Sequence, residues 1–289
     1  MIIVNFMGGL GNQMFQYACG LALSCTTEQR VLYAADIFGQ QSTFNGFELD
    51  AVFGLAPRIA TPSDLKRVLG KIGSNPYIRR ATMKYERLEA LMPDTAIFER
   101  NFVFEQDLAA KLSKGGYLHG YWQSEQYFEN VKEQVHQAFK FVGVEDTDLE
   151  VTGKINVSLH VRRGDYMNAG SVHAACDSAY YYSALEALGL PVQETVLHVF
   201  SDDPNWAQQE ISTLHPDCRV IQGNVEANSY KDMYLMSKCD HHIIANSSFS
   251  WWGAWLNQSP RKKVIAPKRW FVDPALNSDQ IIPAVWERV

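Results

Sequence analysis

The sequence predicts an α/β protein made of two doubly wound domains that face each other across a cleft. Short apolar runs alternate with segments whose apolar residues recur at helical spacing, which is the pattern of strand–helix–strand units with parallel sheets. A glycine-rich loop separates the first apolar run from the first helical segment. A polar, acidic stretch at residues 143–153 lacks apolar periodicity and predicts a linker. We therefore expect one domain at 1–150 and a second at 151–289.

The first half begins as a single βαβ unit. Residues 1–6 predict a strand, residues 7–11 the glycine loop, and the helical spacing of apolar residues starts at Asn12. Residues 31–35 predict the second strand, which should lie parallel to the first in a right-handed unit. The remaining predicted elements of this half are a mostly helical stretch at 61–112, a strand at 117–122, and a helix capped by Ser124 with its apolar face at 128, 131, 135 and 139.

The second half repeats the alternation of strands and helices more regularly. Each apolar run of strand length is followed by a turn and then by a helical pattern, as a parallel sheet requires. The predicted strands are 155–161, 195–201, 219–221, 242–245 and 263–266, and the predicted helices are 179–188, 205–214, 230–238 and 248–256.

Composition excludes several classes of protein. Of the 289 residues, 46% are hydrophobic and 20% are charged, as in ordinary folded proteins, and the net charge of -6 argues against a nucleic-acid binder. No apolar stretch reaches the roughly 18 residues of a membrane-spanning helix, and no targeting segment is expected. The five cysteines are scattered, without a Cys-x-x-Cys pair, which favours reduced thiols in a cytoplasmic protein.

Two adjacent arginines follow the predicted strand 155–161, within the run HVRRGDY at residues 160–166. Arg162 and Arg163 carry planar forks of donors that match diphosphate oxygens and stay charged at any working pH. Asp165 is a candidate to accept a proton from an attacking hydroxyl, or to anchor an arginine. Because ligands of doubly wound domains bind past the carboxyl ends of strands, the run favours a substrate site, and a pair of surface arginines in a turn stays open as the alternative.

Two further motifs lie at the ends of predicted strands. Ser201, Asp202 and Asp203 close the strand 195–201, where a carboxylate can bind guanine or ribose, or cap the helix that Pro204 starts. The second motif precedes the helix predicted at 248–256, where hydroxyls and helix-start amides suit a phosphate. Capping explains only one of its serines. The members of this second motif are Asn246, Ser247, Ser248, Phe249 and Ser250.

The glycine loop has the sequence GGLGNQ at residues 8–13. Gly9 and Gly11 would let backbone amides approach a phosphate or a sugar at the start of a helix. The dinucleotide-binding fingerprint is broken, because Met14 stands where its third glycine would fall, although Asp36 lies near the position of a ribose-binding acid. A tight turn without a ligand stays open as the alternative.

Residues of metal-ligand type do not form a convincing site. Asp146 and Asp148 make an Asp-x-Asp sequence, but they lie in the polar linker. Cys239, Asp240, His241 and His242 are adjacent on a predicted strand or its start, where successive side chains point to opposite faces. We expect no metal site.

Taken in order, these motifs resemble those of the α-1,2-fucosyltransferase family, particularly its short bacterial members. The resemblance covers nearly the whole chain and implies a GT-B architecture of two facing Rossmann-like domains, with 1–150 on the acceptor side and 151–289 on the GDP-fucose side. One departure is Ala174, which stands where similar proteins often have glycine. The matching stretches are GGLGNQMFQYA (8–18), HVRRGDY (160–166), FSDD (200–203), IANSSFSWWGAWL (244–256) and PKRWF (267–271).

The resemblance implies transfer of L-fucose from GDP-L-fucose to the 2-hydroxyl of a terminal galactose, with inversion and without a metal or other cofactor. Arg162, Asp165 and His160 are then the expected catalytic residues, Asp165 being the first choice of general base and His160 the second. The expected partner is a galactose-terminated glycan, and a lipid-linked one would bring this cytoplasmic protein into peripheral contact with the inner face of the membrane. The residues expected to bind substrate are Gly9, Gly11, Asn12, Gln13, Arg163, Tyr166, Ser201, Asp202, Asp203, Asn246, Ser247, Ser248, Phe249 and Ser250.

Two other classes of function stay open on the residues alone. A nucleotide-dependent oxidoreductase would use the glycine loop and bind NAD(P)H rather than GDP. A non-catalytic sugar-nucleotide-binding module would bind GDP-fucose or galactosides without releasing GDP.

Overall fold

The computed structural model describes residues 1–36, 38, 45–144, 153–167 and 172–289, apart from the side chains of Met83 and Asp165. These residues form two compact units, Met1–Val142 and Gly143–Val289. Each unit is built on one sheet whose strands all run parallel. The predicted α/β class with parallel sheets is therefore confirmed.

The sheet of the first unit has four strands in the order β2-β1-β4-β3. They are β1 (Ile2–Asn5), β2 (Val31–Ala34), β3 (Ala96–Phe98) and β4 (Gly116–His119). Every residue of β1 and β4 is buried, which means that both faces of the sheet are covered, as parallel sheets require. The helices and helical turns of this unit are Leu10–Thr27, Leu49–Phe53, Pro62–Gly73, Pro76–Lys84, Glu86–Leu91, Leu108–Lys111, Glu125–Tyr127, Glu129–Val131 and Lys132–Ala138.

The sheet of the second unit has six strands in the order β10-β9-β8-β5-β6-β7. They are β5 (Ile155–Val161), β6 (Thr195–Ser201), β7 (Cys218–Val220), β8 (His241–Ile243), β9 (Val264–Ala266) and β10 (Glu287–Arg288). The core packs against Val157, Leu159, Leu197 and Val199 on one face of β5 and β6, and Val196 and Phe200 on the other face of β6 are also fully buried. The helices and helical turns are Asp165–Met167, Ser178–Leu188, Val192–Glu194, Pro204–Trp206, Ala207–Ile211 (a π-helical turn), Glu226–Asn228, Tyr230–Lys238 and Ser248–Leu256.

Several predicted elements differ from those in the structure. The short strand β3 interrupts the stretch predicted to be mostly helical, and it forms because it pairs with β4. The helix expected after Ser124 is broken, because Phe128 and Val131 leave helical backbone angles and both side chains are buried. The predicted helix 205–214 is shorter and ends as the π-helical turn. In each case tertiary packing outweighs local periodicity.

Candidate functional site

Three of the predicted motifs meet at the carboxyl edge of the sheet in the second unit. The register of β5 and β6 pairs Val161 with Ser201, so the loop after β5 lies beside the loop after β6. β8 flanks β5 on its other side, which brings Asn246 and the start of the Ser248–Leu256 helix to the same edge. This is the edge at which parallel α/β sheets bind ligands.

Asp202 anchors the arginine loop. Its Oδ1 accepts a hydrogen bond from the backbone N–H of Arg163 at 2.8 Å, and its Oδ2 accepts one from Gly164 at 3.1 Å. The Nε of Arg162 lies 3.2 Å from the same Oδ2. Three N–H groups thus converge on one carboxylate, which fixes both the backbone of the loop and the direction of the Arg162 side chain.

The close approach of the loop to Asp202 favours glycine at position 164. A Cβ placed there would lie 3.0 Å from Oδ2 of Asp202, closer than side chains ordinarily come. The glycine between the arginines and Asp165 therefore lets the loop lie against Asp202. The geometry explains the Arg-Arg-Gly spacing as a packing requirement of the loop.

Arg163 and Asp203 stabilise the neighbouring helical turn. The guanidinium carbon of Arg163 lies 4.1 Å from the ring centroid of Trp206, a cation–π contact, and its Nε is 3.7 Å from Oδ2 of Asp203. Asp203 accepts a hydrogen bond from the backbone of Trp206 at 3.1 Å and so caps the turn Pro204–Trp206. Ser201 accepts one from the backbone N–H of Asp203 at 2.9 Å.

These bonds show what the two aspartates contact within the protein, while their predicted contact with the donor stays a prediction. Sequence analysis placed Asp202 and Asp203 against the guanine or ribose of the donor. In the structure, Asp203 has the capping role weighed as its alternative, and Asp202 holds the loop that carries Arg162. The two backbone hydrogen bonds and the ion pair with Arg162 suit a positioning role for Asp202.

Asn246 joins three loops and is fully buried. Its side-chain Nδ2 donates to the backbone carbonyls of Ala174 and Trp270 at 2.8 and 2.7 Å. Its backbone carbonyl accepts a hydrogen bond from the Tyr166 hydroxyl at 3.0 Å. The ring of Tyr166 lies 5.7 Å from the guanidinium carbon of Arg162. Asn246 therefore holds the loops of the site together, and its predicted contact with the substrate stays a prediction.

The start of the Ser248–Leu256 helix supplies a second electropositive feature. Ser247 is the N-cap, its hydroxyl accepting from the backbone of Phe249 at 3.3 Å, while Ser250 is buried and bonds to nearby carbonyls. Ser248 and Phe249 are half-buried at the first turn. A helix start directs backbone N–H groups and the positive end of the helix dipole outward, which favours an anion. Only one of the three serines has the capping role, as the sequence indicated.

His160 is buried at the carboxyl end of β5. Burial, reinforced by the nearby Arg162 cation, lowers the pKa of His160 to about 3. Its ring lies 5.9 Å from that of Phe249, and its Nδ1 has no hydrogen-bond partner among the described residues. An imidazole with so low a pKa takes up a proton poorly, which argues against His160 as general base. Asp165 begins the turn Asp165–Met167, and its side chain lies outside the described residues.

The glycine loop of the first unit starts the Leu10–Thr27 helix, with Gly9 as its N-cap and Gly11 buried in its first turn. Gly8 has φ +78°, and a Cβ there would lie 2.4 Å from Nδ2 of Asn12, so the position requires glycine. Gln13 is fully buried and bonds to the carbonyls of Gly8 and Gly46 and to the backbone N–H of Glu48. Gln13 therefore stabilises the loop, and its predicted role in substrate binding stays a prediction.

Two pairs of hydrogen-bonded polar side chains were not predicted from the sequence, and each includes a residue in a loop that follows a strand. In the first unit, Nε2 of Gln123 donates to Oδ1 of Asn12 at 2.7 Å. In the second unit, Asn224 donates to Asp232 at 2.7 Å beyond β7, and burial raises the pKa of Asp232 to about 6. The sequence could have indicated Asp232, because its carboxylate stands beside the largely apolar residues of the run DMYLM (232–236) in a predicted helix.

The metal groupings weighed in the sequence gain no support. His242 is fully buried and bonds to the Ser158 hydroxyl at 2.8 Å and to Asn257 at 2.9 Å. Across the described residues, no three His, Cys, Asp or Glu side chains converge in a way that could hold a metal ion. Asp146 and Asp148 fall outside those residues.

Comparison with known proteins gives consistent matches. The model of the family "Glycosyl transferase family 11" matches residues 78–287. An α-1,2-colitosyltransferase of Escherichia coli is 33% identical, covering 100% of this chain and 98% of its own length. The O-antigen biosynthesis glycosyltransferase WbnK of Escherichia coli is 31% identical, covering 91% and 93%. A mutant of Arabidopsis thaliana FUT1 solved in complex with GDP has a TM-score of 0.56 at 12% identity, covering 98% of this chain and 74% of that one, which shows a common fold.

Proposed function

Because the chain belongs to glycosyl transferase family 11, we propose that it transfers L-fucose from GDP-L-fucose to the 2-hydroxyl of a terminal galactose. The observation that carries the proposal is the Arg162 guanidinium, held by Asp202 at the carboxyl edge of the sheet beside the start of the Ser248–Leu256 helix. These groups suit a diphosphate leaving group. Family membership also places the chain among glycosyltransferases rather than oxidoreductases.

The proposed reaction is a single displacement with inversion. The galactose 2-hydroxyl oxygen bonds to the anomeric carbon of fucose as the bond from that carbon to the GDP oxygen breaks. Negative charge grows on the departing diphosphate, where Arg162 and the amides at the helix start stabilise it. The hydroxyl proton passes to a general base, for which Asp165 is the remaining candidate because His160 has so low a pKa.

The sugar of the donor has two candidates, fucose and colitose. The motifs resemble those of α-1,2-fucosyltransferases, whereas the colitosyltransferase relative matches the chain along its whole length. Colitose is fucose without its 3-hydroxyl. A site that forms a hydrogen bond with the 3-hydroxyl rejects colitose strongly, because a buried hydrogen-bonding group of the protein is then left unpaired. An apolar site at the same position discriminates weakly between the two sugars. We propose fucose as the preferred sugar.

The acceptor is proposed to be a galactose-terminated repeat unit of a bacterial surface glycan. The WbnK relative is named for O-antigen biosynthesis, and we propose a lipid-linked glycan of this kind as the acceptor. Within the described residues, every helix is too short or too polar to cross a bilayer. We therefore propose peripheral contact with the inner face of the membrane.

A GDP-release assay tests the proposed function. With GDP-fucose, we expect release in the presence of a terminal β-galactoside and none above background with the matching 2-deoxygalactoside, which lacks the attacking oxygen. NMR of the product should show an α-1,2 linkage. Faster release with GDP-colitose would reassign the donor, and binding of GDP-fucose without release would support the non-catalytic module instead.

We also expect transfer to proceed at its full rate in EDTA. In the proposed site, Arg162 and the helix start provide the positive charge that a divalent cation supplies in metal-dependent glycosyltransferases. The measurement is the rate of GDP release before and after exhaustive chelation. Loss of activity that Mn²⁺ restores would contradict this expectation and direct attention to Asp146 and Asp148.

A further inference from the structure

Positive charge is concentrated in one segment of the first unit. Residues 58–92 contain eight lysines and arginines against three aspartates and glutamates, so this segment carries a charge of +5 in a chain whose total is -6. All the basic residues in the segment except Arg79 are exposed. The protein is thus strongly acidic elsewhere, and a negatively charged surface would be attracted to this segment in preference to the others.

The same segment exposes large apolar side chains. Tyr77 is 70% exposed and Tyr85 is 46% exposed. Of the fourteen large hydrophobic side chains that are exposed in the described residues, five lie in these 35 positions. They are Ile59, Ile72, Tyr77, Tyr85 and Leu91. Exposed aromatic and aliphatic residues among basic ones are typical of surfaces that meet the headgroup region of a bilayer.

Helix geometry aligns these groups on one face. In the helix Pro76–Lys84, Tyr77, Arg80 and Lys84 are spaced by three and four residues and lie on the same side. The opposite side holds Arg79 and Thr82, which are buried. Arg79 pairs with Asp36 and lies 5.8 Å from the ring of Tyr117 in the sheet. The buried side therefore fixes the helix, and the other side faces solvent.

Tyr85 extends this face beyond the helix. Lys84 lies 5.4 Å from its ring centroid and Arg87 lies 5.9 Å from it. The two cations are thereby arranged around an aromatic ring whose polar end suits an interface. We call Tyr77, Arg80, Lys84, Tyr85 and Arg87 the basic–aromatic face.

We propose that the basic–aromatic face binds the anionic phospholipid headgroups of a membrane. Basic residues supply the attraction, and the tyrosines insert at headgroup depth. The positive charge of the arginines and lysine favours an anionic partner. The exposed apolar side chains beside them favour a bilayer over a nucleic acid as that partner. The inference gives a location to the membrane contact proposed above, but it depends on neither the donor nor the linkage formed.

Vesicle co-sedimentation tests the proposal. The whole chain should sediment with phosphatidylcholine vesicles containing about 30% phosphatidylglycerol, should not sediment with pure phosphatidylcholine, and should be released near 1 M salt, where the screening length falls to about 3 Å. The triple variant Arg80→Glu, Lys84→Glu, Arg87→Glu should bind at least about tenfold more weakly. Tyr77→Ser with Tyr85→Ser should weaken binding while leaving its salt dependence in place.

A matched control has the same change of charge elsewhere. Lys114→Glu, Lys140→Glu, Arg261→Glu replaces two lysines and one arginine at exposed positions outside the segment, and it should bind vesicles more strongly than the triple variant. Three outcomes would overturn the proposal. They are an equal loss of vesicle binding in the triple variant and its control, equal binding of the wild type to neutral and anionic vesicles, and tighter binding of the wild type to single-stranded RNA than to vesicles. All variants should fucosylate a water-soluble galactoside at the wild-type rate, which separates this test from that of the proposed function.

Discussion

Replacing Arg162 with alanine lowers kcat for transfer by an expected factor of about 10²–10³, the usual cost of removing one group that stabilises developing negative charge. In the proposed reaction the diphosphate gains charge as the bond to fucose breaks, so we expect a larger loss in kcat than in the affinity for GDP. Arg162→Lys should recover little of the rate, because lysine keeps the charge but loses the planar fork that contacts Asp202 and that we propose contacts the diphosphate.

The measurements for Arg162 are single-turnover transfer, GDP affinity by calorimetry and the thermal unfolding midpoint. Arg261→Ala serves as the control, since it removes an exposed arginine of the same unit that lies outside the matching motifs. The unfolding midpoint of Arg162→Ala should stay near that of the wild type, because its side chain is one third exposed. Transfer at a near-normal rate by this variant would remove the basis of the proposed mechanism.

The strands that carry the site could be predicted from sequence with little error. β5 and β6 match the predictions at 155–161 and 195–201 to the residue, because each is a seven-residue run buried on both faces and bounded by polar motifs. Parallel strands place their carboxyl ends at one edge, so the meeting of the motifs after β5 and β6 follows from topology. Strands of two or three residues, such as β3 and β10, carry no periodicity and depend on pairing with a neighbour.

The roles of individual polar residues could be predicted less well. A carboxylate near arginines suits either a ligand or a loop, and for Asp202 the choice depends on two backbone N–H groups whose positions are set by the strand register. Asn12 and Gln13 are adjacent in sequence but point about 100° apart on a helix, so one reaches the strand-end loop and the other is buried. The partner of Asn12, Gln123, lies 111 residues away and could be identified only in the folded chain.

Asp202→Asn is expected to reduce transfer by about 10²-fold, because a shift of the order of 1 Å in a reacting group can cost that much. The amide keeps the size of the side chain but replaces one oxygen with an N–H₂ group. Oδ1 and Oδ2 both accept from backbone N–H groups, so one of those contacts becomes a meeting of two donors. The loop then moves, and Arg162 loses the charge that directs its Nε.

A double-mutant cycle separates this positioning role from direct contact with the substrate. If Asp202 acts through Arg162, then Asp202→Asn should lower the transfer rate much less in the Arg162→Ala background than in the wild type. The reason is that both substitutions remove the same interaction. Asp203→Asn is the matched control: asparagine caps a helix as well as aspartate does, so its transfer rate should stay close to that of the wild type. Fully additive losses in the cycle would show that Asp202 acts independently of Arg162, and the nucleoside contact first predicted for it would then be the better explanation.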